Sequence, residues 1–167
     1  MNENFLIRGY TENDLNEVMN IFNRFVNGFA VYPEFELSEE KFTRLLENVK
    51  IFLVIQYGGS IVGYGYISTF KPLPNFSHTG VLSYFILPEF TGKGLGTKLF
   101  NKLISEGREK GITNYLAHIS SKNQQSINFH KKHDFKEAGR FKNVGIKFGH
   151  SIDMIWMQKE FPNESDQ

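Results

Sequence analysis

Residues 81–104, VLSYFILPEFTGKGLGTKLFNKLI, restrict what this chain can fold into more than any other stretch. They read as a strand stopped by a proline, a glycine-rich loop and an amphipathic helix. Val81 to Ile86 is β-branched and aromatic, and Pro88 has no N–H to continue a ladder. Leu95, Leu99 and Leu103, with Phe100 and Ile104, recur at helical spacing and form one apolar stripe. The N–H groups of a helix's first turn lack intrahelical partners and point one way, and with the macrodipole they make an anion site. Glycines at 92, 94 and 96 remove the Cβ atoms that would hold a ligand off the amides running from Gly92 through Leu95 to Thr97. Lys93 adds a positive charge and Thr97 a hydroxyl. The pattern predicts a cradle for a pyrophosphate. The competing use of these glycines is tight packing of helix against strand.

A kinase-type phosphate loop requires Gly-x-x-x-x-Gly-Lys-Ser/Thr, a string this chain lacks. A dinucleotide fingerprint requires a third glycine where Thr97 stands, a place early in its domain, and an acidic residue about twenty positions on. The strand that follows here, NYLAHI, has no carboxylate. The loop instead resembles the acyl-CoA loop of the GNAT N-acetyltransferases, Arg/Gln-x-x-Gly-x-Gly/Ala. It matches at Gly94 and Gly96, with Thr91 in place of the first residue.

At 167 residues the chain suits a single domain, 1–167, with one sizeable core. Seventeen Phe and seven Tyr predict that this core, or a cleft in it, is aromatic. A net charge of +1 argues against a nucleic-acid partner. Lys131, Lys132, Arg140, Lys142 and Lys147 gather near one another in sequence, but acidic residues intersperse, as on a solvated face. Without cysteine there is no disulfide framework, thiolate metal site or cysteine nucleophile. The N-terminus shows no long apolar segment or cleavage pattern, and the longest apolar run, 51–55, is too short to span a bilayer. A cytoplasmic protein with no membrane partner is expected.

Taken in order, 5–8 reads as a strand. Thr11 reads as an N-cap with Asp14 three residues on, opening a helix whose apolar face is Leu15, Val18, Met19 and Phe22. Residues 23–37 form an aromatic loop. Ser38 starts a second helix with Glu39 and Glu40 in its first turn and a buried stripe of Phe42, Leu45, Leu46 and Val49. Strands at 51–56 and 61–68 flank the hairpin signal Tyr57-Gly58-Gly59-Ser60. After the long helix come a strand at 114–119, a helix at 123–133, and strands at 135–141 and 151–157. The tail from 162 to 167 is expected to fray. The order βααβββαβαββ predicts a mixed α/β layered domain with antiparallel strands and then a parallel βαβ passage around the anion loop. That is also the order of the GNAT acyl-CoA N-acyltransferase fold.

The second family feature is NQQSINFHKKHDF, which resembles Asn-x-x-Ser-x-x-x-Tyr/His-x-x-x-Gly-Phe at Asn123, Ser126, His130 and Phe135, with Asp134 for the glycine. Positions 123, 126 or 127, and 130 share one helix face, able to line a groove for pantetheine. The C-terminal run from Ala138 resembles the phosphinothricin and methionine sulfoximine group of amino-acid acetyltransferases, especially at Gly145, Lys147, Phe148, Gly149, Asp153 and Gln158. FAVYPEFELS is a looser match to that group's substrate loop. The resemblance implies acetyl-CoA as cosubstrate, no metal, a small-molecule primary amine as acceptor, and a homodimer. It implies main-chain contacts from Phe85, Ile86 and Leu87, with strand amides freed by a local bulge to hold the thioester oxygen. It also implies His130 as proton donor to the leaving thiolate; read alone, His130 is a helix histidine facing solvent or packed on Phe129.

The group often has a glutamate base where this chain has Val81, which cannot serve. Glu34, Glu36, His78 and Tyr84 remain as bases, Glu34 and Glu36 equally as ammonium ligands or plain loop charges. Lys147 and Arg140 are candidates for a substrate carboxylate or surface charges. His118, His130 and His133 lack the carboxylate or thiolate that would complete a metal motif. The expected function is acetyl transfer from acetyl-CoA to the amine of a small amino-acid-like molecule. The rivals are a protein or peptide N-acetyltransferase, which needs an open groove at 23–37, and a non-catalytic acyl-CoA sensor.

Overall fold

The computed structural model describes residues 4–162; the expected frayed tail, Pro162 apart, lies outside them. Seven strands form one sheet: β1 (Phe5–Gly9), β2 (Val49–Tyr57), β3 (Ser60–Thr69), β4 (Thr79–Ile86), β5 (Asn114–Ser120), β6 (Lys136–Lys147) and β7 (His150–Glu160), in spatial order β1-β2-β3-β4-β5-β7-β6. Four α-helices cover it: α1 (Leu15–Arg24), α2 (Glu39–Leu45), α3 (Leu95–Glu109) and α4 (Gln124–Lys132). The order is the one the sequence predicts. Every strand pair is antiparallel except β4 with β5, the βαβ passage that carries α3.

Burial on both sheet faces explains why β2 reads as a continuous apolar run. Ile51, Leu53 and Ile55 join the α3 stripe, Leu95, Leu99, Phe100, Leu103 and Ile104, in one core cluster. Val54, with Tyr64 of β3, packs on the other face with Val18, Ile21 and Phe22 of α1 and with Phe42.

Two elements differ from the sequence reading. Helix α2 stops at Leu45, and of its expected stripe only Phe42 is buried, Leu45 being 44% exposed and Val49 beginning β2. Strand β6 runs on to Lys147, because a register shift between Phe141 and Gly145 lets the exposed stretch stay paired with β7. Its solvent face carries Phe141, Val144 and Ile146 in the open.

The feature that positions the site is a splay. β4 pairs with β5 only at Thr79, Gly80 and Val81, while its other edge stays paired with β3 to Ile86 and β5 continues along β7 to Ser120. Between the diverging strands a wedge opens toward the start of α3.

Candidate active site

The wedge belongs to a cavity of about 580 Å³ that runs from the start of α3 to the aromatic loop after α1. At one end, Gly94 caps α3 and the first helical bond is Lys98 N–H to the Gly94 carbonyl, so the amides of Leu95, Gly96 and Thr97 have no intrahelical acceptor. Gly92 and Gly94 sit at φ +77° and +74°, a region L side chains resist, and a Cβ on either would point into open space. Gly96 serves differently: its Cβ would lie 3.3 Å from Phe129, so this glycine lets α3 approach α4. The loop thus leaves open space beside the helix start at Gly92 and Gly94 and uses Gly96 for packing. Gly92, Gly94, Leu95, Gly96 and Thr97 line the cavity; Lys93 does not, its ammonium lying 6.0 Å from the Phe5 ring centre. The Thr91 hydroxyl donates back to the Pro88 carbonyl at 2.7 Å.

Parity along β4 decides which main-chain groups face the wedge. Leu87 N–H donates to Val62 O, and Ser68 Oγ donates to Val81 O, so the odd residues of β4 address β3. Tyr84 and Ile86 therefore turn their N–H and C=O to the gap that β5 has left. The expectation for Phe85 and Leu87 as main-chain contacts is corrected by this register, and so is the bulge. The β3–β4 pairing is regular, and divergence frees the amides. Phe85 lines the cavity with its side chain, and Leu87 does not line it.

On α4, Asn123 Oδ1 caps the helix by accepting from Ser126 N–H at 3.2 Å. Asn123, Ser126 and His130 all line the cavity. His130 is 3% exposed and its Nδ1 lies 2.7 Å from the Ser126 carbonyl, which only accepts, so Nδ1 carries the proton. In the neutral ring Nε2 is then bare and accepts from the Tyr84 hydroxyl. Burial holds the His130 pKa down to about 4 and pushes that of Tyr84 well above its ordinary value. His130 and Tyr84 thus stand as a hydrogen-bonded pair, where the resemblance implies a proton donor at His130 and Tyr84 is expected among the bases.

The remaining base candidates leave the cavity altogether. Glu34 accepts from Phe148 N–H at 2.6 Å and, with exposed Glu36 and His78, stands outside the lining. Lys147 is 1% exposed and donates to the Val31 carbonyl at 2.6 Å; it is a buried tether and not the expected surface charge. Burial lowers its pKa. Arg140 pairs with Glu137 and Asp153. The histidine the sequence reading weighed only as a metal ligand, His118 on β5, lines the cavity. Its ring is stacked 5.8 Å from Tyr32, with the Tyr32 hydroxyl 3.4 Å from Nδ1; the residue as a whole is exposed, and desolvation of the ring by the side chains crowding it lowers its pKa. Among the described residues no group of three or more His, Cys, Asp or Glu is placed to hold a metal ion, and no helix is long and apolar enough to cross a membrane.

The loop at 23–37 is folded inward. Asn23 exchanges two hydrogen bonds with the main chain of Leu37, at 2.9 and 3.2 Å, closing the loop's ends, and Ala30, Val31, Tyr32 and Pro33 form a cavity wall.

The chain matches the family described as Acetyltransferase (GNAT) domain over residues 7–156. It is 33% identical over 114 residues to the L-amino acid N-acyltransferase MnaT of Escherichia coli, covering 68% of this chain and 66% of that one. It is 32% identical over 116 residues to an L-methionine sulfoximine/L-methionine sulfone acetyltransferase of Pseudomonas aeruginosa, covering 70% and 67%. The matches thus span about two thirds of these relatives' length. The crystal structure of a phosphinothricin acetyltransferase from Sinorhizobium meliloti in complex with AcCoA is similar at a TM-score of 0.87 and 26% identity, over 98% of this chain and 91% of that one.

Proposed function

Because the chain belongs to the GNAT acetyltransferase family, we propose that it transfers the acetyl group of acetyl-CoA to the primary amine of a small amino-acid-like molecule. Its relatives are named for such molecules: an L-amino acid, methionine sulfoximine, phosphinothricin. One observation carries this reading: a single cavity joins the open amides of α3 to an aromatic compartment through the gap between β4 and β5. The inward loop at 23–37 favours a small acceptor over a protein one.

The residues present fit coenzyme A. The amides of Leu95 to Thr97 and the Cβ-free Gly92 and Gly94 suit its pyrophosphate; Tyr84 and Ile86 main-chain groups, with Asn123 and Ser126, suit the pantetheine arm. When bound, acetyl-CoA supplies an activated thioester. The acyl carbon passes from sulfur to the amine nitrogen, and the protein manages two protons. With Nδ1–H turned to the Tyr32 oxygen, His118 receives the ammonium proton at Nε2. Tyr84, oriented by His130, gives its phenolic proton to the departing sulfur and regains one from solvent, into which the nitrogen releases its second proton as the tetrahedral adduct collapses to the amide. We place the enzyme in the cytoplasm as one domain over 1–167, and as a homodimer, which the exposed apolar face of β6 supports.

Release of free CoA, with a matching mass gain on the amine, across a panel of L-amino acids, methionine sulfoximine and phosphinothricin tests the reading. Tight acetyl-CoA binding with no turnover on any amine would select the sensor instead.

A further inference from the structure

Resting on the acetyl-transfer reading, we infer that the acceptor has a neutral, apolar or aromatic side chain, and that a second anionic group on it is rejected. Phe25, Tyr32, Leu45, Tyr66, Val81 and Phe85 give the cavity lining an uncharged, largely aromatic surface. No Asp, Glu, Lys or Arg lines any part of the cavity among the described residues. The charges behind the loop wall are already engaged, Lys147 with the Val31 carbonyl and Glu34 with Phe148 N–H. The rings also brace one another: Phe85 lies 5.5 Å from Phe25 and 5.8 Å from Phe22.

Such a compartment treats ligand charges unequally. A side-chain phosphinate or carboxylate entering it loses hydration and meets no cation, a loss ion pairing would otherwise offset. An ammonium loses hydration too, but ring faces attract it, and it needs only to survive until its proton leaves. A carboxylate-free site speeds that departure, because nothing holds the amine in its charged form. An aromatic or aliphatic side chain, by contrast, gains ring contacts and apolar burial. The α-carboxylate common to all amino acids need not meet the rings, since it can face Ser68 or Ser83, which also line the cavity, or water.

The test compares L-phenylalanine and L-methionine with phosphinothricin, at saturating acetyl-CoA, by kcat/KM from CoA release. All three carry the same α-ammonium and α-carboxylate, so the ratio isolates the side chain. We expect at least one neutral amino acid to exceed phosphinothricin by tenfold or more. A smaller ratio, or a preference for phosphinothricin, overturns the inference while leaving acetyl transfer intact. No turnover on any amine, with acetyl-CoA binding confirmed by calorimetry, overturns the acetyl-transfer reading itself.

Discussion

At the scale of single residues, chemistry here depends on which nitrogen already has a partner. His130 stands at the motif position for a proton donor, but Ser126 and Tyr84 occupy both its ring nitrogens. The spacing of NQQSINFHKKHDF placed it on the right helix face and said nothing of its partners. His118 had no motif at all; only the closing of Tyr32 over β5 brings it to the cavity. Replacing it, His118→Gln, should lower kcat by roughly 10²-fold. It should also remove the acid limb of the pH–rate profile, which in the parent enzyme falls off below the ordinary histidine pKa of 6.5 because desolvation by the side chains around the ring lowers this one. An unchanged limb would show that the amine's proton goes elsewhere. The cradle is tested at Gly94. Gly94→Glu adds a like charge where phosphate should sit, and acetyl-CoA affinity should drop by roughly 10²-fold or more. Gly94→Ala, which carries about 1 kcal/mol of backbone strain without the charge, should cost far less. Equal losses in calorimetry would refute the cradle.

At the scale of elements, the entry to α1 is the best-defined electrostatic unit. Asp14 accepts from Thr11 N–H at 2.8 Å, and the Arg8 guanidinium of β1 contacts both its oxygens at 2.8 and 2.9 Å. That guanidinium, followed by Thr11, holds the Asp14 pKa down to about 2 from 3.8. The folded form thus prefers the carboxylate. The stabilisation is complete above the unfolded value of 3.8 and is lost as pH falls through about 2. Asp14→Asn should therefore lower unfolding free energy by about 1–2 kcal/mol at pH 7 and by little at pH 2, measured by urea melts across that window. A loss independent of pH would assign Asp14 to packing alone. The cap itself was legible, since Thr11 and Asp14 stand three apart. The role of Arg8 was not, because it depends on β1 lying beside the helix start.

At the scale of the molecule, the acceptor compartment is assembled from distant parts. Lys147 and Phe148, at the β6–β7 turn, hold Val31 and Glu34 across more than a hundred residues of chain, and Phe29 packs edge-on against Phe148 at 6.1 Å. Lys147→Met keeps the apolar stem but leaves the Val31 carbonyl unpaired, costing about 1–3 kcal/mol of stability. It should also raise KM for the amine several-fold while KM for acetyl-CoA stays put, since the cradle is remote from this tether. A parallel rise in both would deny the loop its separate role. The exposed face of β6 makes the last prediction. Ile146 is 76% exposed, and Ile146→Lys should convert the proposed dimer to a monomer in sedimentation velocity, whereas a parent protein that is already monomeric would remove the proposal.

What the sequence by itself determined is local. The helical stripe of α3, the hairpin at Gly58-Gly59, the element order and the amide cradle follow from periodicity and backbone restriction, which act within a few residues. Tertiary structure decided everything that needs two distant segments at once: the parting of β4 from β5 that frees Tyr84 and Ile86, the neutral His130, the removal of Glu34 to the β6–β7 turn, and the burial of Lys147. Hydrogen-bond partners and desolvation are properties of assembled neighbours, so a residue's type and spacing cannot fix them.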